Sequence, residues 1–148
     1  MVVQFGNLAD ITSWMKLVKE VKWNFPGLET DEAFEEHKKT VMKFISQKRA
    51  LCVKEQGEVV GVLLFSRKYN MICCLAVKPE FRNRGIASML IKKAFNELDS
   101  DKDIVVSTFR EGDDKGAAAR AFYKKFGFVE GEQIEEFGYP CQVFTLHR

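Results

Sequence analysis

The chain has 148 residues, a formal net charge of +2, 46% hydrophobic residues and 30% charged residues. That length is one domain's worth and enough to bury a sizeable core, and the composition is ordinary for a globular protein. A net charge of +2 is too small to argue for nucleic acid by itself, where a concentrated basic face is expected, and no apolar run approaches membrane-spanning length.

Val2–Phe5 is a short strand candidate. Asn7 or Asp10 can cap a helix running to about Val21, with Ile11, Trp14, Val18 and Val21 on one face. Pro26-Gly27 marks a turn, and the nearby Trp23 and Phe25 either plug the core or line a ligand pocket. Thr30 caps a second helix with Asp31 and Glu32 in its first turn, where acids suit the helix dipole. Phe34, His37, Val41, Phe44 and Ile45 form its inner face, and His37 reads as a packed or half-exposed histidine rather than a catalyst.

Ala50–Glu55 and Val59–Lys68 read as strands joined by a tight Gln56-Gly57 hairpin. The second is apolar on both faces, so it belongs at the centre of a sheet. Met71–Val77 is a third strand, completing an antiparallel meander. A helix from Gly85 to about Asp99 follows, with Ala87, Leu90, Ile91, Ala94, Phe95 and Leu98 on one face. Ile104–Phe109 is the next strand, and a β–α–β connection makes it parallel to Met71–Val77. Gly116–Phe126 reads as a short helix ended by Gly127, and Phe128–Glu132 and Gln142–Leu146 as closing strands. No repeat or linker interrupts the chain, so residues 1–148 are expected to form one domain.

Cys52, Cys73, Cys74 and Cys141 make no CxxC pair. Adjacent strand residues point to opposite faces, so Cys73 and Cys74 read as reduced thiols acting as small hydrophobes. No metal is expected. The N-terminus lacks the basic-then-apolar pattern of a signal peptide, which leads to an expectation of a cytoplasmic protein, monomeric or homodimeric, with no membrane or nucleic-acid partner.

The chemistry concentrates at the turn from Met71–Val77 into the following helix. The first turn of a helix carries unpaired backbone N–H groups and partial positive charge, which together bind anions. Gly85 has no Cβ to hold a phosphate off the backbone, and Arg82 and Arg84 add guanidinium charge beside it. The residues themselves point to a phosphate-bearing ligand, with a diphosphate the best match.

Val77, Pro79, Arg82, Gly85 and Ala87 occur in an order that resembles the V-x-P-x-x-R/Q-x-x-G-x-G/A signature of the GNAT N-acetyltransferase superfamily. A second stretch, with Ala119, Phe122, Tyr123, Gly127 and Phe128, is similar to the last core helix of that family. The resemblance implies a mixed α/β (α+β) fold: a mostly antiparallel sheet of six or seven strands, flanked by helices and splayed at its one parallel pair. It implies transfer of an acetyl group from acetyl-CoA to a primary amine of a small molecule, protein or peptide. In the implied assignment Arg82, Asn83, Arg84, Gly85, Ile86, Ala87 and Ser88 hold the diphosphate. Leu75, Ala76 and Val77 hold the pantetheine arm, Phe122 also contacts the cofactor, and Tyr123 protonates the departing thiolate.

Two departures stand out. The family's usual asparagine before the last helix falls at Gly116, which puts one pantetheine contact in doubt. Several relatives carry a glutamate base on the strand before the phosphate turn, whereas Met71–Val77 has no carboxylate. A base must come from elsewhere or act through water. The alternatives to amine acetylation are another acyl-CoA or acceptor on the same fold, a coenzyme A sensor without catalysis, and, more weakly, a nucleic-acid module.

Overall fold

The computed structural model describes residues 1–25 and 27–148; the Pro26 position of the Pro26-Gly27 turn lies outside the described residues. One seven-stranded sheet runs in the order β1-β2-β3-β4-β5-β7-β6. Its strands are β1 (Val3–Phe5), β2 (Ala50–Glu55), β3 (Glu58–Ser66), β4 (Met71–Val77), β5 (Ile104–Phe109), β6 (Val129–Glu136) and β7 (Tyr139–Leu146). The helices are α1 (Ile11–Val21), α2 (Asp31–Ser46), α3 (Ile86–Glu97) and α4 (Ala117–Lys125). Among the described residues, no helix is long and apolar enough to cross a membrane.

Strand alternation sorts the core into two layers. Leu51 and Val53 of β2, with Leu63 and Phe65 of β3, pack against Ile86, Leu90, Ile91 and Ala94 of α3 and Tyr123 of α4. Their neighbours Ala50, Cys52, Val62 and Leu64 face the other way, onto Trp14 and Val18 of α1 and Val41 and Ile45 of α2. Side chains on a strand alternate faces, so β3 must be apolar throughout to serve both layers. Its residues Val59–Ser66 are all buried.

Local signals set the helix starts. The Asn7 side chain accepts from Ala9 and the Asp10 carboxylate accepts from the Asn7 N–H at 2.9 Å, closing a reciprocal cap. This cap starts a short 3-10 turn at Leu8–Asp10 that leads into α1. The Thr30 hydroxyl accepts from the Ala33 N–H at 3.0 Å, starting α2 where the sequence places it.

β4 and β5 are the parallel pair, matched only at Met71 with Val105 and Ile72 with Val106. Beyond those positions β4 stays with β3 as far as Val77, while β5 stays with β7 as far as Phe109. The sheet therefore opens into a wedge. Buried Asn70 fastens the closed end: its side-chain nitrogen donates to the carbonyls of Asp99, Lys102 and Asp103 at 3.1–3.2 Å. Its side-chain oxygen accepts from the Asp99 N–H at 2.8 Å, and its backbone carbonyl accepts from the Val105 N–H at 3.2 Å.

β6 and β7 are longer than the sequence suggests, and meet at a two-residue turn, Phe137-Gly138. β6 reads VEGEQIEE and is exposed over most of its length. An edge strand facing water needs no apolar alternation, and its acidic side chains discourage pairing with another chain.

Candidate active site

Two cavities, each of about 520 Å³, meet at the wedge. They share Phe25, Leu75, Ala76, Ala119 and Tyr123 in their walls. One extends past the start of α3; the other lies on the α1–α2 side of the sheet.

The α3 cavity is a cleft with a positive rim. Arg82, Lys115 and Lys125 line it, and no carboxylate does among the described residues. Gly85 is the N-cap of α3 in the left-handed conformation, φ 79°, and a Cβ there would meet nothing within 4 Å. The helix start is thus open, and its backbone N–H groups and dipole face an unobstructed approach suited to phosphate. Leu75, Ala76, Val77, Arg82, Asn83, Gly85, Ile86, Ala87, Ser88, Phe122 and Tyr123 all line this cleft. Arg84 does not; its guanidinium lies over the Phe81 ring, 4.8 Å from the centroid.

The second cavity has the opposite charge. Glu36, His37 and Glu136 line it, with neither lysine nor arginine among its described wall residues. Burial pushes the His37 imidazole below its ordinary range, so the neutral base is the favoured form. Exposed Cys73 and half-buried Cys74 also line the cavity, and desolvation of their sulfurs pushes the thiols up to about 11 and about 12. Thiols held protonated are poor nucleophiles, which disfavours a covalent acyl carrier on β4.

Tyr123 stands where the cavities join. It is 6% exposed, and its hydroxyl makes no hydrogen bond among the described residues. Buried polar groups are nearly always paired, and an exception calls for a reason. Burial, reinforced by Cys74, pushes the phenol well above its ordinary range, so it stays protonated. Arg120, one turn earlier on α4, fixes the helix by donating to the Phe109 carbonyl at 2.9 Å, Gln142 at 2.8 Å and Glu130 at 2.7 Å.

The sequence model of the acetyltransferase (GNAT) family matches residues 14–128. The chain belongs to that family. An uncharacterised N-acetyltransferase of Chlorobaculum tepidum is 29% identical over 113 residues, a match spanning 72% of this chain and 65% of the relative's length. A GNAT-family acetyltransferase from Bacillus cereus superposes with a TM-score of 0.74 at 19% identity, covering 99% of this chain and 96% of that one. The PaiA N-acetyltransferase of Thermoplasma acidophilum, solved in complex with coenzyme A, gives 0.74 at 16% identity over 99% and 98% of the two chains. At such identities these structures establish the fold: a GNAT sheet with its one parallel pair.

Within this GNAT chain, Gly116 has a steric reason to lack a side chain. A Cβ there would sit 2.5 Å from the Cβ of Phe109, so an asparagine would drive α4 off β5. The strand residue Phe109 and the glycine form a complementary pair, and the missing amide is a consequence of that packing. The sequence offers Glu29, Glu135 and Glu136 as acids for a cationic amine, though loop acids usually read as solvated, and of these Glu136 lines the cavity. Lys115, Lys125 and Glu36 carry no signal in the sequence, and His37 reads there as a packed or half-exposed histidine. With Glu136 they come from α2, α4 and its preceding loop, and β6, and no local motif links them.

Proposed function

We propose that the protein transfers the acetyl group of acetyl-CoA to a primary amine by direct attack. The observation carrying this reading is Tyr123: a buried, protonated hydroxyl without a partner among the described residues, in the neck shared by a cation-rimmed cleft and an acid-lined cavity. A polyanionic cosubstrate suits the first and a cationic amine the second.

The open N-terminus of α3, with Arg82, Lys115 and Lys125, receives the phosphates of acetyl-CoA. Leu75–Val77 of β4 are unpaired on the side facing β5, so their backbone groups are free to pair with the amides of the pantetheine arm, as an added strand does. The amine reacts in its neutral form, and neutral His37 is suited to take the ammonium's proton, directly or through water. The nitrogen bonds to the thioester carbonyl carbon and the carbon–sulfur bond breaks. Tyr123 gives its proton to the departing sulfur and regains one as the nitrogen sheds its surplus proton. The products are an amide and the free thiol of coenzyme A, with no change in oxidation state. The chain's four free cysteines fit a reducing compartment, and the cytoplasm is the setting we propose.

Tyr123→Phe removes the hydroxyl and keeps the ring. A positioned acid contributes about 100- to 10,000-fold in rate, so kcat should fall by that order while acetyl-CoA affinity holds. Thiol release measured beside the melting temperature separates catalysis from packing. Near-wild-type turnover with lowered stability would reduce Tyr123 to a packing residue.

A further inference from the structure

The acid-lined cavity bears on the identity of the acceptor, an inference that rests on the acetyl-transfer reading. Most of its wall is apolar, built from residues such as Leu28, Phe44, Leu64, Val106 and Phe109. Its two carboxylates are unequal. Glu36 is exposed and already has the Lys39 ammonium at 3.2 Å. Glu136, at the end of β6, is half-buried and makes no ion pair among the described residues. The cavity therefore offers one carboxylate without an ion pair among the described residues, in a mostly apolar wall.

The next residue, Phe137, also lines the cavity. Phe137 and Gly138 have φ 53° and 74°, the paired left-handed conformations of a tight hairpin turn. A phenylalanine in that conformation is uncommon. Its ring is 82% exposed, yet it reaches across to the loop between α1 and α2. A Cβ built on Gly27 would lie 2.8 Å from the Phe137 ring. The two loops bordering the cavity thus touch through this pair.

That contact and that charge sort the acceptors by chemistry. A polypeptide must leave the site as an extended chain with its backbone groups paired or hydrated, and the Phe137–Gly27 contact, which draws together two of the loops lining the cavity, leaves less room for one. A polyamine brings several ammonium groups to a wall with one free carboxylate, and each unpaired charge taken from water is costly. A single ammonium on an apolar body matches both features, and the cavity volume suits a small molecule. We infer that the acceptor is a small primary amine with one cationic nitrogen on an apolar body the size of an aromatic ring or short alkyl chain. Glu136 draws the cation in, and Phe137 packs over the body. The acetyl carbon bonds to the amine nitrogen, coenzyme A leaves as its thiol, and the product is a neutral amide that Glu136 no longer holds.

The test measures thiol release from acetyl-CoA with 2-phenylethylamine, n-hexylamine, spermidine and an alanine-initiated hexapeptide. The apolar monoamines should exceed spermidine and the peptide in kcat/KM by about tenfold or more, the scale on which pocket contacts discriminate. Phe137→Ala and Glu136→Gln should each raise KM for 2-phenylethylamine several-fold, with melting temperatures reporting that both variants fold. Preference for spermidine or the peptide, or an unmoved KM in both variants, overturns the acceptor inference and leaves acetyl transfer standing. Binding of acetyl-CoA in calorimetry without turnover of any amine overturns both.

Discussion

At the scale of single residues, the turn before α3 shows how backbone and charge divide a task. Gly85 sits at φ 79°, a conformation that costs an L-residue about 1–2 kcal/mol. Gly85→Ala should incur that strain and, by setting a Cβ against the approaching phosphate, weaken coenzyme A binding in part. Gly85→Glu adds a carboxylate where we propose the diphosphate binds and should abolish binding. Arg82→Ala should weaken binding by about 1.5–3 kcal/mol, the worth of a charged hydrogen bond, whereas Arg84→Ala should change less because Arg84 is not among the residues lining the cleft and its guanidinium is engaged on the Phe81 ring. Calorimetric titration with coenzyme A ranks the four variants, and equal affinity in Gly85→Glu and Gly85→Ala would move the diphosphate elsewhere. This turn was legible in the sequence because its chemistry is local: a strand, a basic loop and a helix start lie in one continuous stretch. Arg84 is the exception within it, since which of two nearby arginines faces a ligand depends on the aromatic ring the other finds to cover.

At the scale of elements, the wedge between β4 and β5 was foreseeable and its fastening was not. A meander followed by a β–α–β connection dictates that these strands run parallel. What holds them together at their closed end is Asn70, which the sequence shows only as a polar residue in a turn. Its amide serves three carbonyls and one N–H of the α3–β5 connection, and its backbone occupies the left-handed region at φ 49°. Asn70→Ala orphans those groups and should cost about 2–4 kcal/mol. Asn70→Asp separates the two roles. Aspartate tolerates the same backbone conformation but sets a carboxylate against three carbonyl oxygens, so it should be no better than alanine. If the denaturation midpoint of Asn70→Asp stays near wild type, the conformation alone matters and the clip does not. β6 is the complementary case: the sequence shows its start, within Phe128–Glu132, but not its continuation to Glu136, because alternation signals burial and an exposed edge strand has none to report.

At the scale of the whole molecule, the separation of charge between the two cavities is a property of the fold, assembled from residues that are far apart in the chain. His37 is the member of that assembly whose protonation can be followed. Burial lowers its folded value, while in the unfolded chain it titrates near the ordinary 6.5. As pH falls through that region the unfolded chain gains a proton that the folded chain refuses. Stability is therefore undiminished above about 6.5 and declines as pH drops toward the folded value. Asp103, held down by the Arg148 N–H and His147, Asp113 by Tyr139, and Glu130 by Lys124 titrate in the carboxylate range, so their losses come at lower pH. Between about pH 7 and pH 5 the decline should belong largely to His37, and His37→Gln should flatten the melting temperature across that window. The same variant tests the proton-acceptor role, because a positioned base is worth about 100-fold or more in rate. A flattened stability profile with kcat/KM reduced on that scale at neutral pH assigns His37 both effects. A flattened profile with unchanged kcat/KM would make it a buried wall residue only, and the amine's proton would then leave through water or a carboxylate.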